Sequence, residues 1–368
     1  MLLLAWRNLV RQPLRFLLTL VGIGFAVFLM MFQGSLLAGF LRAASKIIDT
    51  ADADIWIAAR GVGFFDFPNT IPAPAAAEAY GVPGVAEVRK AVVGLTFWKR
   101  PAGSRKTIVV VGAEAGMTDR LPTAGAAAPP GEVVVDVSDR TALGISALPL
   151  DVEIGDRRAR VTRTGSGFAS FLGSPYVFAG YSDAMRYLHV DPDRTMFLLV
   201  RVGRGHDLGA VEAALRRRFP DLQVWSRDDF SRSAWQYWLL QTGAGGALLT
   251  AALLGFVVGT VISSQTMYAT TMENLEEFAT LAAMGAARAF IVGIVLTQAV
   301  FSGILGAVLG LALEHFASGA ARAFVAWIYA PGWLAPAMGA AALCMCGVAS
   351  LASIRKALGV EPGRVFRA

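Results

Sequence analysis

The chain has 368 residues, 55% of them hydrophobic and 16% charged, with a mean hydropathy of +0.54. Soluble globular chains carry roughly 25% charged residues, so the composition excludes a wholly soluble protein and indicates an integral membrane protein with a soluble portion. The net charge of +6 is read as topological rather than as a nucleic-acid signal, because cytoplasmic loops of membrane proteins collect Arg and Lys.

Residues 1 to 15 place Arg7, Arg11 and Arg15 at i, i+4, i+8 with Trp6 beside them. This spacing predicts an amphipathic helix on the cytoplasmic interface that turns into a first span near Pro13. The uncharged run from Phe16 to Leu41 exceeds the 7–15 apolar residues of a signal-peptide core and meets the roughly 20 needed to cross a bilayer. It is read as an uncleaved transmembrane helix over 16 to 41.

Residues 42 to 232 then form a large external domain. "ADIWIAA", "TIVVVGAEA", "EVVVDVS", "VEIGDRRARVTRT", "PYVFAG" and "RTMFLLVRVG" read as strands, and "DLGAVEAALRRRF" as a helix capped by Asp207. Strand 194–202, helix 207–219 and strand 222–225 suggest a βαβ-like unit; 131 to 165 looks purely β. The expectation is an α+β domain with a β-rich subdomain inserted. The run "RGVGFFDFPNT" crowds Phe64, Phe65 and Phe67 into one Gly- and Pro-bounded loop. An aromatic plug in the core is favoured, with an exposed loop meeting lipid or a partner as the alternative. Asp136, Asp139, Asp151 and Glu153 are expected on the solvated surface.

Three more uncharged runs follow. They predict an interfacial segment and second span over 233 to 271, a third span over 288 to 313 and a fourth over 333 to 354. A short external connection at 314 to 332 precedes the fourth, and a tail follows at 355 to 368. Trp235, Tyr237 and Trp238 read as an aromatic belt. Gly255/Gly259 and Gly306/Gly310 have the spacing of close helix contacts, within a bundle or across a dimer. Cys344 and Cys346 are read as small apolar residues of the fourth span. The basic start and tail put both termini in the cytoplasm, and four spans agree with that.

No phosphate-binding loop, zinc-ligand spacing or nucleophile elbow occurs, so neither catalytic nor metal-ligating residues are assigned. No Lys, Arg, Asp or Glu falls within the span cores, which argues against ion-coupled transport. The remaining signal is "MENLEEFATLAAMGA" at 272 to 286, in a short acidic segment, 272 to 287, between two spans. Met272, Leu275, Phe278, Ala279 and Ala282 make one apolar helical stripe; Glu273, Glu277, Thr280 and Met284 lie on another face, and Gly285 suits the stop. The expectation is a cytoplasmic helix whose stripe enters a groove of another protein while its carboxylates select a basic rim. Glu277→Lys or Phe278→Asp is then expected to weaken that docking with the fold intact.

One apolar helix, a large domain, three more apolar helices, and the words "SQTMYATTMENLEEFATLAAMGA", "LAWRNLVRQPLRFLLTLVGIGFAV" and "IRKALGVEPGRVFR" resemble an FtsX/MacB-type ABC transporter permease, closest to its DevC-like branch. The resemblance implies a fold of four transmembrane helices with a periplasmic α+β domain between the first two, in the bacterial inner membrane. It implies a homodimer working with a separate ABC ATPase, which holds the ATP and Mg; no cofactor is implied for this chain. Glu273, Leu275, Glu276, Glu277, Phe278, Ala279, Thr280, Leu281, Met284 and Gly285 would form the ATPase-coupling helix. A periplasmic membrane-fusion adaptor and an outer-membrane tunnel are implied partners, besides membrane lipid. The implied mechanism is mechanotransmission in export of an amphiphile, or else control of a periplasmic cell-wall hydrolase. Many relatives carry basic residues near this core; here none occurs before Arg288.

Overall fold

A computed structural model describes residues 2–11, 13–101, 103–115, 129–322 and 324–358; Arg364 and Arg367 of the tail lie outside them. The first half runs α1 (Leu2–Val10), α2 (Pro13–Thr50), β1 (Ile55–Ala59), β2 (Ile71–Pro72), α3 (Ala75–Tyr80), β3 (Val85–Lys99), β4 (Arg105–Ala113), β5 (Glu132–Asp136), α4 (Arg140–Leu143), β6 (Leu150–Ile154) and β7 (Arg157–Gly165). The second runs β8 (Tyr176–Gly180), α5 (Tyr181–Leu188), β9 (Arg194–Thr195), β10 (Phe197–Val202), α6 (Leu208–Arg218), β11 (Leu222–Ser226), α7 (Arg227–Gln236), α8 (Ala244–Glu273), α9 (Leu275–Ala283), α10 (Arg288–Ala321) and α11 (Leu334–Leu358). The chain divides into two compact units, 1–39 with 245–368, and 40–244.

In the first unit, α2, α8, α10 and α11 are long and apolar enough to cross a membrane. Helix α2 does not stop at Leu41. Ala44, Ile47, Ile48 and Ala51 are buried at helical spacing, so the helix continues to Thr50 on tertiary packing rather than on lipid.

Both glycine pairs pack within this chain. A Cβ on Gly306 would fall 2.3 Å from Ile23 Cγ2, and one on Gly310 would fall 2.5 Å from the Gly24 carbonyl oxygen. Likewise Gly259 faces Ala26 and Met345. Gly310→Val is therefore expected to push α10 off α2 and cost about 1–3 kcal/mol; an unchanged thermal midpoint of the purified variant would refute that packing.

Helix α10 also outruns its expected end. The stretch 314 to 321, expected in the connection between the third and fourth spans, is helical. Glu314 is only 5% exposed and its Oε1 accepts a hydrogen bond from Ser35 Oγ at 3.1 Å. The long helix thus packs a carboxylate against α2 one residue past the end expected for the third span.

The second unit is built on one nine-stranded sheet, ordered β11-β1-β10-β3-β4-β8-β5-β7-β6, in which β3 also pairs with β6. That last pairing closes β3, β4, β8, β5, β7 and β6 into a six-stranded barrel, the β-rich insertion expected from 131 to 165. "VEIGDRRARVTRT" is a hairpin, with Asp151 opposite Arg160 and Val152 opposite Ala159. The βαβ-like unit is split: β10 and β11 both pair antiparallel with β1, which lies between them. Asp207 caps α6, its side chain accepting from Ala210 N at 2.8 Å.

Two apolar layers sandwich the β11-β1-β10 sheet. Ile55, Ile57, Leu198 and Val200 pack under α3 and α6 with Ala79, Val211 and Leu215. On the other face lie Trp56, Phe197, Phe65 and Phe230, in a core continuous with the barrel interior.

Candidate functional site

The acidic segment begins inside α8. Met272 and Glu273 end that helix, Asn274 marks the break, and α9 starts at Leu275. Asn274 Nδ2 donates to the Thr270 carbonyl at 2.8 Å. Helix α9 closes with Ala286 N donating to the Leu281 carbonyl at 3.0 Å while Gly285 adopts φ 86°, a left-handed turn that glycine enters without steric penalty.

The apolar stripe of α9 faces inward. Phe278 is 1% exposed and Ala279 fully buried; they pack with Ala5 of α1, Ile291, Ile294 and Val295 of α10, and Ala357 of α11, with Leu281 and Ala282 at the edge. The expectation that this stripe enters a partner's groove is corrected for its centre: Phe278 and Ala279 are already covered by the chain's own helices, whereas Met272 of the stripe is not. Exposed instead are Met272, Glu273, Glu276, Thr280, Ala283, Met284 and Gly285, while Leu275 is half-buried.

Glu277 is likewise engaged at home, in an ion pair with Arg11 just beyond α1. Its side chain is 41% exposed, so the pair is worth less than about 1 kcal/mol. Arg11 was hidden from sequence reasoning by the 266 residues separating the partners. Trp6 of α1 sits edge-on to Phe301 of α10 at 5.8 Å. Together these contacts hold α1 and α9 to one end of the α10/α11 pair and leave an acidic, methionine-edged face in the open.

The three phenylalanines of the 61–70 loop separate. Phe65 is a core plug, stacked on Phe197 at 5.4 Å and edge-on to Trp56 at 6.0 Å. Phe64 stacks on Tyr237 at 3.9 Å. Phe67 alone is open, at 45% exposure. Within the domain, then, two of the three serve packing.

The four carboxylates singled out in sequence also divide. Asp136 is buried, against expectation, because it accepts from Ser138 N at 2.9 Å, Ser138 Oγ at 2.7 Å and Phe168 N at 2.8 Å. Asp139 is partly buried and its carboxyl is pushed up to about 7, by burial first and the Asp136 charge second, with Lys106 opposing. Glu153 pairs with Lys99 at 2.8 Å and Asp151 with Arg160 at 3.5 Å along a cleft of about 780 Å³. The charges of Glu153 and Asp151 are thus paired, and among the described residues no three His, Cys, Asp or Glu side chains converge as a metal site would require.

Comparison with known families agrees with this architecture. The family model for the FtsX-like permease C-terminal region matches residues 246–362. That for the MacB-like periplasmic core domain matches residues 16–218, more than half of the chain. The chain is an FtsX/MacB-type ABC transporter permease. Among relatives of the permease is an uncharacterised ABC transporter permease of Mycobacterium tuberculosis strain H37Rv, 25% identical over 374 residues, covering 100% of this chain and 99% of the relative. A protein of strain CDC 1551 gives the same figures. Among solved structures, the periplasmic region of MacB from Actinobacillus actinomycetemcomitans is 14% identical with a TM-score of 0.39, covering 51% of the permease and 97% of that chain. The extracellular domain of the noncanonic ABC-type transporter YknZ from Gram-positive bacteria is 13% identical with a TM-score of 0.35, covering 43% and 90%.

Proposed function

We propose that this permease transmits ATP hydrolysis in a separate ATPase subunit to its external domain, and that α9 is the element the ATPase grips. The observation that carries this is the anchoring of α9. Its apolar side is seated among α1, α10 and α11, so a push on its outer face is delivered to packed helices rather than absorbed by a loose loop. The outer face offers Glu276, Thr280 and Met284, which fit a basic groove with an apolar floor.

In the full proposal the chain works as a homodimer in the bacterial inner membrane with both termini cytoplasmic. ATP and Mg are held by the partner ATPase, and the domain at 40–244 acts in the periplasm. Export of an amphiphilic or lipid-like substrate, through a membrane-fusion adaptor and an outer-membrane tunnel, is the activity proposed. The sequence likeness to the DevC-like branch supports the adaptor.

Charge reversal on the outer face tests the coupling. Glu276→Lys with Met284→Asp changes two exposed side chains and should leave the fold within about 0.5 kcal/mol of wild type. Copurification of the ATPase and permease-stimulated hydrolysis should both fall at least tenfold. Wild-type values for both would remove α9 from the coupling role. A pull-down that returned the ATPase with a cell-wall hydrolase and no adaptor would replace export by control of that enzyme.

A further inference from the structure

The 61–70 loop places a carboxyl where water does not reach. Asp66 is 1% exposed. One of its oxygens accepts the Tyr176 hydroxyl, and the other, Oδ2, is buried with no hydrogen-bond partner among the described residues. Tyr176 opens β8 directly after loop 166–175, so the Asp66–Tyr176 pair ties loop 61–70 to the end of loop 166–175.

Loop 61–70 holds an aromatic ring against the exit end of the domain, and loop 166–175 holds one against both ends. Phe64 stacks on Tyr237. Phe171 meets Trp238 at 4.9 Å and Phe40 at 5.1 Å, both edge-on. Phe40 belongs to the helix by which the chain enters the domain. Tyr237 and Trp238 lie in the π-helical turn Tyr237–Gln241 by which it leaves, a geometry often found at functional sites.

We propose that the Asp66–Tyr176 pair is a proton-operated latch, which holds the two loops closed on this aromatic cluster when Asp66 is neutral and loosens them when it is ionised. A buried neutral carboxyl costs far less than a buried carboxylate with one oxygen unpaired. Burial pushes the Asp66 carboxyl up to about 6, with the Tyr176 hydrogen bond pulling the other way. Charged groups on the surrounding elements are engaged elsewhere. Lys46 of α2 lies over the Phe168 ring at 5.7 Å, and Asp49 accepts from Ser45 at 2.7 Å. Asp136 of β5 holds Phe168 N. On α7, Asp229 pairs with Arg232 at 3.2 Å and Asp228 with Arg227 at 3.7 Å. The latch therefore answers to the pH of the compartment the domain occupies, and it stands whether or not α9 docks an ATPase.

Amide hydrogen exchange of the full-length protein in detergent, corrected for the intrinsic pH dependence of exchange, reads the latch directly. Peptides covering 61–70 and 166–175 should be about tenfold better protected at pH 5.0 than at pH 7.5, the ratio set by a carboxyl at about 6 when closed and near 4 when open. Peptides from β5 and β7 should show no such step. Asp66→Asn should abolish the step, and Tyr176→Phe should lower protection at pH 5.0. A wild-type step below twofold overturns the latch without any variant, and so does a tenfold step that survives in Asp66→Asn.

Discussion

Replacing Phe278 with alanine is expected to weaken the seat of α9 by about 3–5 kcal/mol, the usual cost of deleting a buried phenylalanine ring. The ring is enclosed by Ala5, Ile291, Ile294, Val295 and Ala357, which come from three different helices and cannot all collapse into the space left. Local opening of α9 should rise by about a hundredfold to several thousandfold, at about 1.4 kcal/mol per factor of ten. A glutamate-specific protease reads it, because Glu276 and Glu277 lie in the opened stretch. Cleavage there should accelerate by that factor while cleavage in the domain at 40–244 stays constant. Equal rates in variant and wild type would show that the ring is not the anchor. Phe278→Asp should be worse still, since an unpaired charge enters the same site; it cannot report on docking alone, as the sequence had implied. Thr280→Ala, on the exposed side, should shift stability by less than about 0.5 kcal/mol.

Asp66→Asn should stabilise the domain at neutral pH by up to about 3 kcal/mol. The sign follows from proton binding. The Asp66 carboxyl is raised from 3.8 to about 6 in the folded domain, so the folded state holds the proton more tightly than the unfolded one. This group's contribution is fully present below pH 4 and is lost as pH rises through 6. Each unit of pH between the two values corresponds to about 1.4 kcal/mol. Asparagine keeps an acceptor for Tyr176 without a charge to bury. The gain in thermal midpoint over wild type should be large at pH 7.5 and nearly gone at pH 4. The same gain at both values would mean that the carboxyl's ionisation is not what the asparagine relieves.

What the sequence revealed and what it hid follow from which forces leave a local trace. The four apolar helices were visible because lipid imposes uncharged runs of a minimum length. Their ends were not, because α2 and α10 continue on tertiary packing: Ala44, Ile47 and Ile48 look like ordinary amphipathic residues until the partner surface is known. Strand β3 escaped expectation although it is the longest. In "VAEVRKAVVGLTFWK" the alternation breaks at Ala91, Val92 and Val93, which are all buried because the strand passes there from an open sheet into a barrel. In α9 the periodicity identified a buried stripe. It could not say what buries it, and the answer is the chain itself. Phe65 behaved as its composition suggested. Asp66 beside it left no sign, since a buried carboxyl looks in sequence like any loop aspartate.

Strand β3 has a final consequence. Its first half, to Ala91, pairs with β10 in the open sheet; its second half, from Ala91, pairs with β4, and its last residues with β6. One continuous backbone is thus a stave of the barrel and a member of the parent sheet. The barrel is therefore no detachable cassette. A fragment beginning at residue 100 would lack that stave and expose the long edges of β4 and β6, an invitation to strand-to-strand aggregation. Within 40–244 the two halves should unfold as a single cooperative unit, and protection of amides in β1 and in β5 should be lost together.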